Sequence, residues 1–237
     1  MGAIVALKAE FESEGSSKED VQFLKSLFPS IPLYLKIGGV EAVRDIHDAI
    51  DLGVNTIIAP MVETSFAVKK FLGAIEKVDN KFEKKSIVIE SITSLNNIDS
   101  IIKNSRKFIQ NITLGRTDFS RSFEKDTNVE DPKIYDAIFS VSQKAVSNQF
   151  TFTLGGSISS STLENNLLHK SIKNINFIET RNVIFNAQNL FENHDLLVDA
   201  IRFEETYILL LKQRVERRYL DRIDRISNLE RRLNNCL

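Results

Sequence analysis

Cysteine is nearly absent from this 237-residue sequence, with Cys236 standing alone. No disulfide can therefore close within the chain, which suits a reducing, cytoplasmic setting. Long apolar runs are also missing. Nothing approaches the roughly 20 residues needed to span a bilayer, and the start, MGAIVALKAEFE, lacks a basic segment followed by an apolar one, so no signal peptide and no membrane partner are expected. Charge of one sign is missing too: 31 basic residues meet 32 acidic ones, for a net charge of −1. Such a balance gives no reason to expect nucleic acid as a partner. No G-x-G-x-x-G follows any apolar run, which argues against a dinucleotide-binding sheet. Histidine is limited to His47, His169 and His194, all read as surface or packing residues, and neither glycine nor proline occurs after Gly156.

What is present is a regular alternation of short apolar runs with amphipathic segments. Hydrophobic residues make up 42% of the chain, enough for a large α/β domain with or without an appendage. Strands are expected at Ile4–Glu12, Ile31–Ile37, NTIIAPMV, SIVIE, FIQNITLG, QFTFTLGG and INFIET. Helices are expected over Lys18–Leu27, Val40–Leu52, Ser65–Val78, Leu95–Lys103, Pro132–Ser147 and Ser160–His169. Seven strands, six of them followed by a helix, imply a parallel sheet covered by helices. Lys8, Glu10, Tyr34, Lys36, Thr151 and Thr153 lie opposite the apolar positions of their own strands. A doubly wound sheet buries both faces under helices and wants apolar strands throughout, whereas a barrel tolerates a mixed inner face. The expected fold is a TIM-type (β/α)8 barrel over residues 1–185. No eighth strand is visible, so the barrel closes with seven or another segment fills the gap. From residue 186 to 237 a long helical extension is expected. Apolar residues recur there at three- and four-residue steps within a dense Arg/Glu/Asp face, which points to a homo-oligomer packed through the C-terminal helix. Acidic residues interleaved with the arginines argue against a nucleic-acid tail.

Glu90 and Asp118 each sit just past an apolar run, at the rim where barrels of this kind mount their chemistry. Two such carboxylates can share a hard divalent cation, or each can simply cap a helix. Three segments decide what else to expect: GVNTIIAPMVET, VIESITSLNNI and LGRTDFS. In order and spacing they resemble the HpcH/HpaI aldolase and citrate lyase β-subunit family of pyruvate/phosphoenolpyruvate-type barrels. The resemblance runs from about Ile4 to Phe185. It implies Mg²⁺ or Mn²⁺ held by Glu90 and Asp118, and a 2-oxo acid cleaved from or joined to an aldehyde through a pyruvate-like enolate. Backbone groups of Gly115, Arg116 and Thr117 are placed to hold the substrate carboxylate, with the Arg116 side chain reaching for an anion or pointing to solvent. Lys36 stands where the family carries an arginine at the enolate oxygen. It keeps the charge without the bidentate fork, and a Schiff base or a structural ion pair with Glu10 or Glu12 is the other reading. The family histidine is replaced by Ser13 or Glu14, leaving Glu10 and Glu12 as candidate bases or as counter-ions. Glu179 and Arg181 read as a structural charged pair. Family barrels also begin with one more strand than is visible here. Two rival activities stay open: a citrate-lyase-like reaction on an acyl-CoA thioester, with Lys36, Arg116 and Arg121 for the phosphates, and a non-catalytic barrel serving as a binding or assembly module.

Overall fold

The strands Ile4–Glu10, Leu33–Lys36, Asn111–Gly115 and Thr151–Gly155 alternate between a face apolar enough for helices to cover and a face that carries charge or hydroxyls. The computed structural model describes residues 2–12, 15–78, 82–123, 125 and 127–235, so Cys236 lies outside it. Two compact units are present, Met1–Ala200 and Ile201–Leu237. In the first, strands β1 (Ile4–Glu10), β2 (Leu33–Lys36), β3 (Thr56–Ala59), β4 (Lys84–Ile89), β5 (Asn111–Gly115), β6 (Thr151–Gly155), β7 (Phe177–Glu179) and β8 (Val183–Asn186) form a closed barrel in sequence order. Leu33, Leu35, Ile57, Ile87, Ile89, Ile112, Leu114, Phe152 and Leu154 face the helices and are buried. The opposite positions carry Lys8, Glu10, Lys36, Ser86, Thr113, Thr153 and Glu179, also buried. A polar interior must satisfy itself. Asn111 does part of this, its Nδ2 donating to Ser86 Oγ at 2.8 Å while its Oδ1 accepts from Thr151 and Thr153 at 2.9 and 3.0 Å, tying β4, β5 and β6 together.

The helices begin where local chemistry allows. Helix α1 (Lys18–Leu27) has a reciprocal cap between Ser17 and Asp20, α2 spans Val43–Asp51, and α3 (Ser65–Glu76) is capped by Thr64. After β4 come α4 (Ile92–Asn96), capped by Ser91, and α5 (Ile98–Ser105). After β5 come the short α6 (Arg116–Arg121) and then α7 (Pro132–Ser147), with Asp131 as cap and proline at its start. Helix α8 (Ser160–Leu163) and two 3₁₀ turns precede β7, and α9 (Ala187–Glu192) and α10 (Asp195–Asn234) follow β8.

The barrel closes with eight strands, and the eighth runs the wrong way for a (β/α)8 repeat. Strands β1 to β7 are parallel, whereas β8 pairs antiparallel with both β7 and β1. It follows β7 through the three residues Thr180-Arg181-Asn182, where the Thr180 N–H donates to Val183 O at 2.9 Å. Buried Asn182 fixes the turn to β1: Lys8 N–H donates to its carbonyl at 2.9 Å, and its Nδ2 donates to Lys8 O at 3.2 Å. The segment INFIETRNVIF is thus a hairpin, and its second arm fills the gap left by the seven expected strands. Helix α10 carries the second unit from Ile201 onward. Among the described residues no helix is long and apolar enough to cross a membrane.

Candidate active site

Glu90 follows the last residue of β4 and is nearly fully buried. Its Oε1 accepts from Met61 N–H at 2.7 Å and its Oε2 from Lys36 Nζ at 3.3 Å. Met61 is exposed and sits at φ 48°, a left-handed conformation unusual for a non-glycine residue. That conformation turns its N–H toward the carboxylate, so local strain serves the site. Two residues on, Glu63 accepts from Ser91 Oγ at 2.6 Å. Gly115 ends β5 against the same carboxylate, where a methyl group at its Cα would stand 3.0 Å from Glu90 Oε2. Ile92 N–H donates to Ser122 Oγ at 2.9 Å. The three sequence segments that carry the family resemblance therefore meet around one buried glutamate.

Lys36 ends β2 with its side chain 9% exposed, 2.5 Å from Glu12 and 3.3 Å from Glu90. Glu10, its register partner on β1, is buried beside it. Burial alone would drive the proton from Lys36, but Glu90, Glu12 and Glu10 outweigh burial and hold its pKa above the ordinary lysine value. A fully charged ammonium has no lone pair for a Schiff base. Glu90 shows the complementary effect: burial raises its pKa, with Lys36 and the Met61 N–H opposing. Two residues before Glu10 on β1, Lys8 Nζ donates to Glu179 Oε1 at 2.7 Å, so Glu179 at the end of β7 is paired with Lys8. Glu179 also lies over Gly155, where a methyl group would meet its Cγ at 2.7 Å. Four carboxylates (Glu10, Glu12, Glu90, Glu179) thus share the mouth with two ammonium groups.

The Arg116 side chain does not point to solvent; it is taken up by groups of the chain itself. It is 0% exposed, with Nε donating to Gly156 O at 3.0 Å and Nη2 to Ser157 O at 2.7 Å and Thr162 Oγ1 at 3.1 Å. Nη1 donates to Glu130 at 3.2 Å, and Tyr135 OH donates to the same carboxylate. Four hydrogen bonds tie it to fixed acceptors, and the guanidinium is a pin joining α6 to the loop after β6. Glu130, Tyr135 and Thr162 were not legible as a cluster, since Thr162 lies 46 residues from Arg116. Gly156 at φ 84° packs on the backbone of Arg116 and Thr117, where a methyl group would come within 2.7 Å of either nitrogen. Thr117 Oγ1 lies 3.0 Å from Ser157 Oγ.

Asp118 belongs to the first turn of α6, not to a loop. It is exposed and 3.7 Å from Arg121. Ser13 and Glu14 lie outside the described residues. Among the described residues no three His, Cys, Asp or Glu side chains gather as a protein-made metal cage would require. A hard cation such as Mg²⁺ commonly takes one or two carboxylates and completes its shell with water and substrate oxygens. Glu90, just after β4, and Asp118, in the first turn of α6 after the neighbouring β5, are the two carboxylates that the sequence singles out for that smaller requirement.

A family model described as HpcH/HpaI aldolase/citrate lyase matches residues 37–173, more than half of the chain. The chain belongs to the HpcH/HpaI aldolase/citrate lyase family. That family comprises aldolases and lyases, which makes this chain a member of an enzyme family. Among solved structures, the HpcH/HpaI aldolase from Desulfitobacterium hafniense DCB-2 is similar at 12% identity and TM-score 0.57, over 70% of this chain and 72% of that one. RipC from Yersinia pestis is similar at 18% identity and TM-score 0.54, over 71% and 79%. Citrate synthase SbnG is similar at 14% identity and TM-score 0.60, over 85% of each chain. At such identities these likenesses speak for the fold alone. No curated protein matches the sequence.

Proposed function

We propose that this HpcH/HpaI family member is a carbon–carbon lyase of the aldolase type, acting on a 4-hydroxy-2-oxo acid and releasing a pyruvate-like product and an aldehyde. The observation that carries the reading is the meeting of the PMVET, VIES and LGRTDFS segments around Glu90, with the Lys36 ammonium on the same carboxylate. In the cleavage direction Glu10 or Glu12 takes the proton of the 4-hydroxyl. The C3–C4 bond then breaks, the aldehyde departs, and the electron pair passes to the keto oxygen as an enolate; a proton returned to C3 completes the product. Lys36, locked in its charged form, stands ready to stabilise negative charge that grows only in the transition state. Glu90 and Asp118 would hold Mg²⁺ or Mn²⁺, which would supply further positive charge beside the keto oxygen. Gly115 to Thr117 would receive the substrate carboxylate through backbone N–H groups, and the fixed Arg116 keeps that backbone in place.

The thioester reading has less support, because Arg116 is buried and Lys36 is held between two carboxylates, leaving Arg121 as the exposed one of its three basic groups. A direct test measures pyruvate release from a series of 4-hydroxy-2-oxo acids with lactate dehydrogenase as the coupling enzyme, with Mg²⁺ or Mn²⁺ present. Release that is lost in Lys36→Met and Glu90→Gln is expected. Turnover of an acyl-CoA thioester with none of the hydroxy-oxo acids cleaved would overturn the reading.

A further inference from the structure

We propose that the helix of the second unit pairs antiparallel with the same helix of a second copy of the chain, about a two-fold axis beside Arg217. The first observation is exposure. Ile201, Ile208, Val215, Tyr219, Ile223, Ile226 and Leu233 are 41–66% exposed, an apolar stripe in water along a helix that is otherwise densely charged. Helices of this kind owe most of their stability to packing of such a face, and large apolar patches mark interaction sites.

The second observation is that the stripe reads nearly the same in both directions. Val215 and Tyr219 lie two residues either side of Arg217, Leu211 and Ile223 six, Ile208 and Ile226 nine, and Ile201 and Leu233 sixteen. At 3.6 residues per turn all eight fall within an arc of about 120° opposite Arg217. A two-fold interface requires that if residue i meets j, then j meets i. An antiparallel copy centred at Arg217 gives each of these residues an apolar partner; Leu229 opposite Glu205, Lys212 opposite Arg222 and Glu204 opposite Glu230 are the mismatches within the arc. No unrelated partner would impose this symmetry.

The third observation is charge. From Asp195 to Leu211 the helix carries four acidic residues and one arginine, whereas from Lys212 to Asn235 it carries eight basic and four acidic ones. Antiparallel pairing about Arg217 lays residues 199–211 of one copy, with three acidic residues and one arginine, on residues 223–235 of the other, with three basic and two acidic ones. Residues 212–222, with five basic and two acidic, lie on themselves. Parallel pairing would lay each segment on its like, the acidic 199–211 included, so charge favours the antiparallel arrangement at the two ends of the stripe.

The test is made on the full chain. Light scattering after gel filtration is expected to give an even multiple of the 26.9 kDa chain mass, halved by Ile208→Asp or Ile226→Asp with the barrel's melting unchanged. Orientation is read separately from spin labels on Asn228→Cys in a Cys236→Ser background. Antiparallel pairing about Arg217 puts the two labels about 33 Å apart along the axis, and parallel pairing puts them side by side. A monomeric mass, a mass untouched by both substitutions, labels side by side, or a monomer that binds phosphatidylserine vesicles through this helix would each overturn the proposal.

Discussion

Replacing Lys36 by Met removes an ammonium while keeping most of the side-chain volume, so it isolates charge from packing. In the wild type that ammonium lies 2.5 Å from Glu12 and 3.3 Å from Glu90, with its side chain 9% exposed. Removing one partner of a buried pair leaves the other without compensation, at a cost of about 3 kcal/mol or somewhat more. For a unit of this size each kcal/mol moves the melting temperature by about 2–4 °C, so a fall of roughly 6–12 °C is expected at pH 8. The pH dependence carries the diagnosis. Lys36 itself has a folded pKa raised above its ordinary 10.5; its contribution is fully present below that value and lost only as pH rises through the folded one, so it is constant between pH 5 and 8. In the variant, Glu90 loses the cation that opposed burial, and its folded pKa moves further above the ordinary 4.5. A carboxylate shifted that way favours the folded state at low pH and loses the advantage as pH rises through the folded pKa. The deficit of the variant is therefore largest at pH 8 and smaller at pH 5. Thermal melts of both proteins from pH 5 to 8 measure it. A deficit equal at both ends would assign the loss to packing, and no deficit at pH 8 would refute the buried pair.

Other expectations follow from the same contacts. Arg116→Met leaves Glu130, Thr162 and two loop carbonyls without their donor, and should cost about 3–5 kcal/mol in denaturant unfolding; a loss below about 1 kcal/mol would show the pin to be dispensable. Gly156→Ala places a methyl group 2.6 Å from Thr117 N at φ 84°, so a destabilisation of at least about 2 kcal/mol is expected from the left-handed backbone and the clash together, measured by the same titration. Millimolar Mn²⁺ should raise the melting temperature of the wild type through preferential binding to the folded state. Glu90→Gln and Asp118→Asn should each abolish that rise, and a rise that persists in both would place the cation elsewhere.

Much of the barrel was legible because its cause is local. Alternation along β1, β2 and β6 separates the helix-facing side from the charged interior, and the outcome at Lys8, Glu10, Lys36 and Thr153 follows that separation. Helices α1 and α7 begin and end where expected, since Ser17 in one case and Asp131 with Pro132 in the other set the start. Strand β8 was not legible. It has four residues, no helix before it, and a partner on each side that only the closed barrel supplies. Helix α6 was hidden for a similar reason, as six residues after a glycine carry little periodicity. Arg116 shows the limit most clearly: an arginine beside a rim glycine invites an anion, yet acceptors up to 46 residues away enclose it completely. At Lys36 the sequence admits an ion pair with Glu10 or Glu12, and Glu12 is the partner found, whereas the second partner, Glu90, depends on how strand ends 54 residues apart meet.

The measurement that bears most directly on the proposed chemistry is deuterium exchange into the methyl group of pyruvate, followed by NMR with Mg²⁺ or Mn²⁺ and with chelator. It reads enolate formation before any aldehyde is known. The account predicts cation-dependent exchange that disappears in Asp118→Ala and in Lys36→Met. A well-folded wild-type protein that exchanges no methyl deuterium with either cation would contradict it.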